Sequence, residues 1–348
     1  MSAAPVKAAA LLLALGAARA AGAAAAPRSG AELYARMCAP CHGAAGEGYK
    51  ADRAPALANP DFLASASDGF LRLAVADGRA GTTMSAWAAA RGGPLRREEV
   101  GAVVAFVRAW ERAPRAVLDE RPAAGSAARG AEIYAARCLR CHGKKGVGGP
   151  NVGIGDAQFL RSASNGFLRY AIARGRRGTE MTGFAGGLGD GGIEDVLALL
   201  REWQSELAPK TPPPPPVPPI PLGPLPLNPK GPEPEGFRAT PAFTPADAVK
   251  AQLERGARLA LLDARPPSDY VAEHIAGAVS VPFYDADSYL AALPKDVWLV
   301  CYCACPHELS GQLARKLAAA GFAKATVLDE GFGVWKARGY ATRTGRSP

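Results

Sequence analysis

Cys38-Ala39-Pro40-Cys41-His42 occurs again as Cys138-Leu139-Arg140-Cys141-His142, and the two copies divide the first two thirds of the 348-residue chain between them. On a helix, positions i, i+3 and i+4 share one face, so two thiols can bond the vinyl groups of a porphyrin while the adjoining imidazole reaches its iron. A CxxC pair alone also reads as a redox dithiol or half a zinc site. Zinc fails on inventory, because the second motif lies a whole domain away and no histidine pair stands between the two. Two covalently bound haem c groups are therefore expected.

An iron that carries electrons needs a second axial ligand from a distant loop. Of four methionines, Met1 is the initiator and Met37 adjoins Cys38, which leaves Met84 and Met181. Their surroundings match: Gly81-Thr82-Thr83-Met84-Ser85-Ala86-Trp87 and Gly178-Thr179-Glu180-Met181-Thr182-Gly183-Phe184. A methionine that only fills a gap has no reason to recur in register. A His/Met pair raises the reduction potential and leaves no open position for substrate, so electron transfer is expected rather than catalysis at iron.

The repeat extends well beyond these residues. Gly30-Ala31-Glu32-Leu33-Tyr34-Ala35 returns as Gly130-Ala131-Glu132-Ile133-Tyr134-Ala135, and Ser29 with Glu32 makes a capping box that starts the helix leading to Cys38. Ser67 and Ser164 each open a short helix that Gly78 or Gly175 closes. A final amphipathic helix carries Val100, Val103, Val104 and Val107 in one copy and Ile193, Val196, Leu197 and Leu200 in the other, closed by Trp110 and Trp203.

Haem motif, methionine loop and closing helix in that order, twice, resemble class I c-type cytochromes over about residues 29–112 and 129–207. The resemblance implies that His42 with Met84, and His142 with Met181, are axial ligands of two haems tethered by Cys38, Cys41, Cys138 and Cys141. It also implies a proline carbonyl orienting each histidine; Pro150 matches that position well and Pro55 more loosely. In that family the methionine is often followed by proline, where Ser85 and Thr182 stand here.

Lys7, the apolar run Ala8 to Ala18 and the small-residue site Ala18-Arg19-Ala20 read as a signal peptide over residues 1–20. The run is too short for a membrane anchor, so no transmembrane segment is expected once it is removed. Export to the periplasm of a Gram-negative bacterium agrees with the haem reading, since the resemblance implies attachment outside the inner membrane. Formal charge is +9, or +7 without Lys7 and Arg19, a mild excess that fits docking to acidic periplasmic redox proteins or attraction of small anions. The basic residues are scattered with no aromatic platform, which excludes a nucleic-acid partner.

Residues 208–236 are a linker whose Thr211 to Pro234 stretch is proline-rich. With φ fixed and few N–H donors it is expected to act as a stiff polyproline spacer reaching about 75 Å. Covalent connection alone then does not bring the haems near the C-terminal domain.

From about residue 237 to 348 the pattern becomes alternating strands and helices: strands over 258–263, 297–302 and 325–328, and a helix from Leu309 to Ala320. The fold expected for the whole chain is multidomain, two all-α domains followed by an α/β domain with a parallel sheet. Asp263-Ala264-Arg265, Tyr270 to Ala278 and Gly331 to Tyr340 resemble a rhodanese domain. The resemblance implies that Cys303 is a nucleophile taking sulfane sulfur as a persulfide from a small sulfur anion or persulfide donor, and that Asp263 and His274 are structural.

Four of the seven cysteines belong to the haem motifs, which leaves Cys301, Cys303 and Cys305. The loop Cys303-Ala304-Cys305-Pro306-His307-Glu308-Leu309-Ser310 departs from the family: it has no arginine, Pro306 removes a donor, Glu308 adds negative charge and it is one residue longer. This reads against ordinary thiosulfate turnover. Cys303 and Cys305 are the catalytic candidates, one resolving a persulfide or sulfenate on the other. Two alternatives stay open: a soft site for Cu(I) or Zn(II) built from Cys301, Cys303, Cys305 and His307, and a module that binds or senses without turnover. His307 is also placed to lower a neighbouring thiol's pKa.

Overall fold

A computed structural model of the protein describes residues 28–49, 54–79, 82–207, 216–304 and 307–348. The expected signal peptide, the first part of the proline-rich stretch, and Cys305 with Pro306 lie outside the described residues. Among the described residues no helix is long and apolar enough to cross a membrane.

The first repeat comprises α1 (Gly30–Met37), α2 (Ala39–His42), α3 (Pro60–Ser65), α4 (Asp68–Asp77) and α5 (Arg97–Arg108). The second comprises α6 (Ala127–Arg137), α7 (Leu139–His142), α8 (Ala157–Ser162), α9 (Asn165–Arg174) and α10 (Ala185–Leu207). The expected capping box is present, Ser29 accepting from the Glu32 N–H while the Glu32 carboxylate accepts from Ser29. Ser67 and Ser164 cap α4 and α9. In each repeat the first and last helices cross at a glycine: a Cβ on Gly30 would lie 2.1 Å from the Ala102 carbonyl oxygen, and one on Gly130 would lie 2.0 Å from that of Asp195. Tyr34 packs edge-on against Trp110 and Tyr134 against Trp203, closing each bundle beside its CxxCH.

The two repeats meet through four phenylalanines. Phe70 stacks on Phe167 with ring centroids 4.9 Å apart, and Phe62 and Phe159 pack around them. The arrangement is two-fold: Arg79 lies over Phe70 at 5.1 Å and Arg176 over Phe167 at 5.2 Å. Arg177 ties the seam by pairing with Asp61 at 3.0 Å.

The C-terminal region adds β1 (Phe243–Thr244), α11 (Ala246–Glu254), β2 (Leu259–Asp263), α12 (Pro267–Ala272), β3 (His274–Ile275), β4 (Ala278–Ser280), β5 (Trp298–Tyr302), α13 (Glu308–Ala319), β6 (Ala325–Leu328), α14 (Gly331–Ala337) and β7 (Thr342–Arg343). The main sheet is parallel with strand order β1-β6-β5-β2-β4. Alternate residues of β2 bury opposite faces, Leu259 and Leu261 towards α11 and α14, Ala260 and Leu262 towards the side of α13. Burial on both faces explains its unbroken apolar run.

The linker differs from its expected form. Over the described residues 216–236 it is not a free spacer: Val217 and Ile220 are buried, and the Val217 N–H donates to the Ala90 carbonyl at 3.1 Å. On the other side Tyr289 Oη donates to the Ile220 carbonyl, and the Arg258 N–H to that of Pro232. Aliphatic residues set among the prolines give this stretch a face to bury, so it straps the α/β domain to the first helical domain.

Candidate functional site

Each CxxCH spans the junction of two helices, its first cysteine ending α1 or α6 and its histidine ending α2 or α7. His42 is 6% exposed; burial lowers its pKa and keeps the ring neutral. Its Nδ1 donates to the Pro55 carbonyl at 2.9 Å, which leaves Nε2 with its lone pair free for a metal. In the second copy Nδ1 of His142 donates at 2.8 Å to the carbonyl of Val152, not of Pro150. The expectation for Pro150 is thus corrected: the loop needs a carbonyl at this place, and two residues of extra reach bring Val152 there. Pro55, the looser match, is the one that fits.

Burial pushes the Cys38 thiol up to about 12 and the Cys138 thiol up to about 11. Thiols raised in this way carry little thiolate character at neutral pH and are weak nucleophiles. The methionine loops are built alike. The Arg79 N–H donates to the Met84 carbonyl at 2.8 Å and that of Arg176 to the Met181 carbonyl at 2.7 Å, while the methionine N–H groups donate to Thr82 Oγ1 and Thr179 Oγ1, each at 3.1 Å.

Both CxxCH motifs, Met84 and Met181 line one continuous cavity of about 2090 Å³. Arg79 lines it too, and its Nη1 is buried without a hydrogen-bond partner. A buried cationic donor left unpaired is costly in a bare apolar cavity and suits one that receives an acidic group. A histidine with Nδ1 bonded, paired cysteines and a methionine on one cavity, with the unpartnered Nη1 of Arg79 on its wall, together fit iron and porphyrin carboxylates. Arg79 and Arg176 were not singled out from the sequence, although Gly78-Arg79 and Gly175-Arg176 are in register in the repeat.

In the α/β domain Asp263 and His274 are structural, as expected. Asp263 takes a forked pair of bonds from Arg265 and one from Tyr302 Oη at 2.8 Å, while His274 lies between the carbonyls of Tyr270 and Ser347 and stacks on Tyr270. Cys301 is fully buried in β5, and burial pushes its thiol far up. Cys303 follows β5 and is 1% exposed, its Sγ 3.3 Å from Ser310 Oγ. His307 does not serve a thiol among the described residues: its Nε2 faces Asp329 at 3.1 Å and its ring packs on Phe243. The described residues hold no group of three or more metal-ligating side chains, so the soft-metal reading gains no support there. Leu309, two residues past His307 in α13, lines the haem-motif cavity.

Sequence comparison defines the same classes. The family model described as cytochrome c oxidase, cbb3-type, subunit III matches residues 25–107 and 125–200, and the rhodanese-like domain model matches 245–338. The chain carries tandem c-type cytochrome domains fused to a C-terminal rhodanese-like domain. Its cytochrome part is similar to the cbb3-type cytochrome c oxidase subunit FixP of Azorhizobium caulinodans, 31% identical over 43% of this chain and 50% of that protein. The FixP of Bradyrhizobium diazoefficiens is 28% identical over 43% of this chain and 51% of its own. The chain thus spans about half the length of these curated relatives. A solved rhodanese-like domain of the Alr3790 protein from Anabaena sp. is 33% identical, covering 29% of this chain and 78% of that one, with a TM-score of 0.28. The cytochrome family implies covalently bound haem c, and the domains are electron carriers.

Proposed function

We propose that the protein is an exported, periplasmic dihaem electron carrier whose rhodanese-like domain takes up sulfane sulfur on Cys303. The observation that carries the reading is the recurrence of one constellation, two cysteines, a carbonyl-held histidine and a threonine-braced methionine, on both halves of a single cavity. Cys38, Cys41, His42 and Met84 hold one haem; Cys138, Cys141, His142 and Met181 hold the other. Haem c, when bound, supplies a one-electron iron couple. The carbonyls of Pro55 and Val152 fix the tautomer of each histidine, and the apolar walls keep water from the metal.

At Cys303 the thiolate attacks the outer sulfur of a persulfide donor, forming a sulfur–sulfur bond as the donor's own such bond breaks and its thiolate leaves. No electrons are exchanged in that step. An acceptor thiolate then removes the outer sulfur, and Cys305 is the internal candidate for that second attack. Leu309 on the cavity wall supports a functional link between this loop and the first two domains.

The test adds sulfide, thiosulfate or an organic persulfide to the oxidised holoprotein and follows both the haem spectrum and the mass of Cys303, beside Cys303→Ser and Cys305→Ser. With the persulfide or thiosulfate a mass gain of one sulfur on Cys303 is expected without haem reduction; with sulfide the same gain releases two electrons, one to each of two ferric haems, so cysteine-dependent haem reduction is expected with that donor. The burial of Cys303 and the lack of an arginine in its loop favour a second reading, in which the domain binds or senses without turnover. No adduct with any donor would favour it.

A further inference from the structure

The rhodanese-like domain touches the first cytochrome domain at the residue next to Met84. Ser85 is 3% exposed, and its Oγ donates to Asp269 Oδ2 in α12 at 2.6 Å. The contact sits in a tight seam: Tyr284 Oη donates to the Gly92 carbonyl at 2.6 Å, and Trp87 meets Phe283 edge-on with centroids 6.3 Å apart. Asp269 is itself held from behind. Burial raises its pKa, and the charge of Arg265 opposes that rise; Arg265 is forked onto Asp263, which in turn accepts from Tyr302 Oη, one residue before Cys303.

The second cytochrome domain supplies an internal comparison. Thr182 occupies the place of Ser85, follows Met181 and is exposed; its N–H donates to the Glu180 carbonyl within its own loop. Two methionine loops of the same build are therefore tied from outside at different places: the first at the residue after its methionine, by Asp269, and the second at Arg177, which pairs with Asp61 and accepts from Asn59.

We infer that Asp269 positions Met84 through Ser85, so that the rhodanese-like domain holds the methionine ligand of the first haem at the adjoining residue, whereas the second loop is tied to the first cytochrome domain at Arg177, four residues from Met181. This rests on the reading of Met84 and Met181 as axial ligands. Asp269 is a positioning residue outside the cavity, and Ser85, through which it acts, sits on the cavity wall beside Met84. The clamp slows the excursions of the loop that let methionine leave the iron, and it makes Met84 the ligand that senses a rearrangement around Tyr302 and Cys303.

The experiment uses the full-length oxidised holoprotein and follows displacement of methionine by imidazole through the red charge-transfer band of methionine-ligated ferric haem. Wild type is expected to show a slow and a fast phase of equal size. Ser85→Ala and Asp269→Ala should speed the slow phase about 10-fold, the loss expected for one buried hydrogen bond. Asp269→Asn, which keeps an acceptor oxygen, should stay near wild type, and Thr182→Ala should change neither phase. An unchanged slow phase in Ser85→Ala overturns the inference, and that variant decides the matter if Asp269→Ala does not fold. Met84→Ala separates the two levels of argument: if half of the band survives and the slow phase is gone, the ligand reading stands whatever Ser85→Ala shows, whereas an intact band removes the ligand reading itself.

Discussion

At Glu99 the folded chain keeps a carboxylate almost out of water, 2% exposed, with Arg28 at 2.9 Å and the Arg96 N–H at 2.9 Å. The Arg28 bond, then those from Arg96, hold its pKa down at about 2, against an ordinary 4.5. A group whose pKa is depressed on folding stabilises the fold above its ordinary value, and loses that contribution as pH falls from about 4.5 towards 2. Glu99→Gln should cost about 1–3 kcal/mol at neutral pH, and the gap to wild type in thermal melts should close on acidification below pH ~4. A gap that stays constant with pH would refute the assignment. The proposed methionine ligands make a second prediction at this scale: Met84→Ala and Met181→Ala should each remove half of the methionine–ferric band, and the double variant all of it. His42, the cysteines and both methionines could be picked out of the sequence because haem chemistry fixes residue type and spacing together, and the structure brings them to one cavity. Arg79 was not, because an arginine in a loop reads as solvated until its burial is seen.

Element boundaries followed from local chemistry where that chemistry is self-contained. The strand at 325–328 and the helices opened by Ser67 and Ser164 lie where caps and apolar runs place them. The carbonyl that orients His142 did not, since loop curvature rather than residue type decides which carbonyl arrives, and Gly148 and Gly149 bend the chain past Pro150. Gly30 and Gly130 were visible only as repeated letters, but the helix crossings give them a reason. Gly30→Ala should destabilise the first cytochrome domain by about 1–3 kcal/mol, since its Cβ meets backbone that cannot swing away. Gly187→Ala in α10, where a Cβ meets nothing within 4 Å, should be neutral or mildly stabilising. Chemical unfolding of the holoprotein, read at the Soret band, distinguishes the two.

How the domains sit on one another was the least legible layer. Amphipathic periodicity says that a face is buried and not against what, so the contacts of Val217, Phe283 and Ser85 had no separate signature. The strap makes a prediction at the scale of the molecule. Val217→Asp and Ile220→Asp should release the rhodanese-like domain, seen as faster proteolysis in the 208–236 stretch and a larger hydrodynamic radius; an unchanged cleavage pattern would show that the seam holds without the strap. The phenylalanine seam between the cytochrome domains has a further consequence. Phe62 and Phe70 occupy in one half the places that Phe159 and Phe167 occupy in the other, and the ring contacts across the seam come in mirrored pairs, Phe62–Phe167 with Phe70–Phe159 and Arg79 over Phe159 with Arg176 over Phe62. A patch that matches its own copy is the signature of a rotationally symmetric pair of like chains. Either half, severed and matured alone, carries a surface complementary to itself and should associate into a homodimer that reproduces the seam without the Asp61–Arg177 pair, since the first half keeps only Asp61 and the second only Arg177.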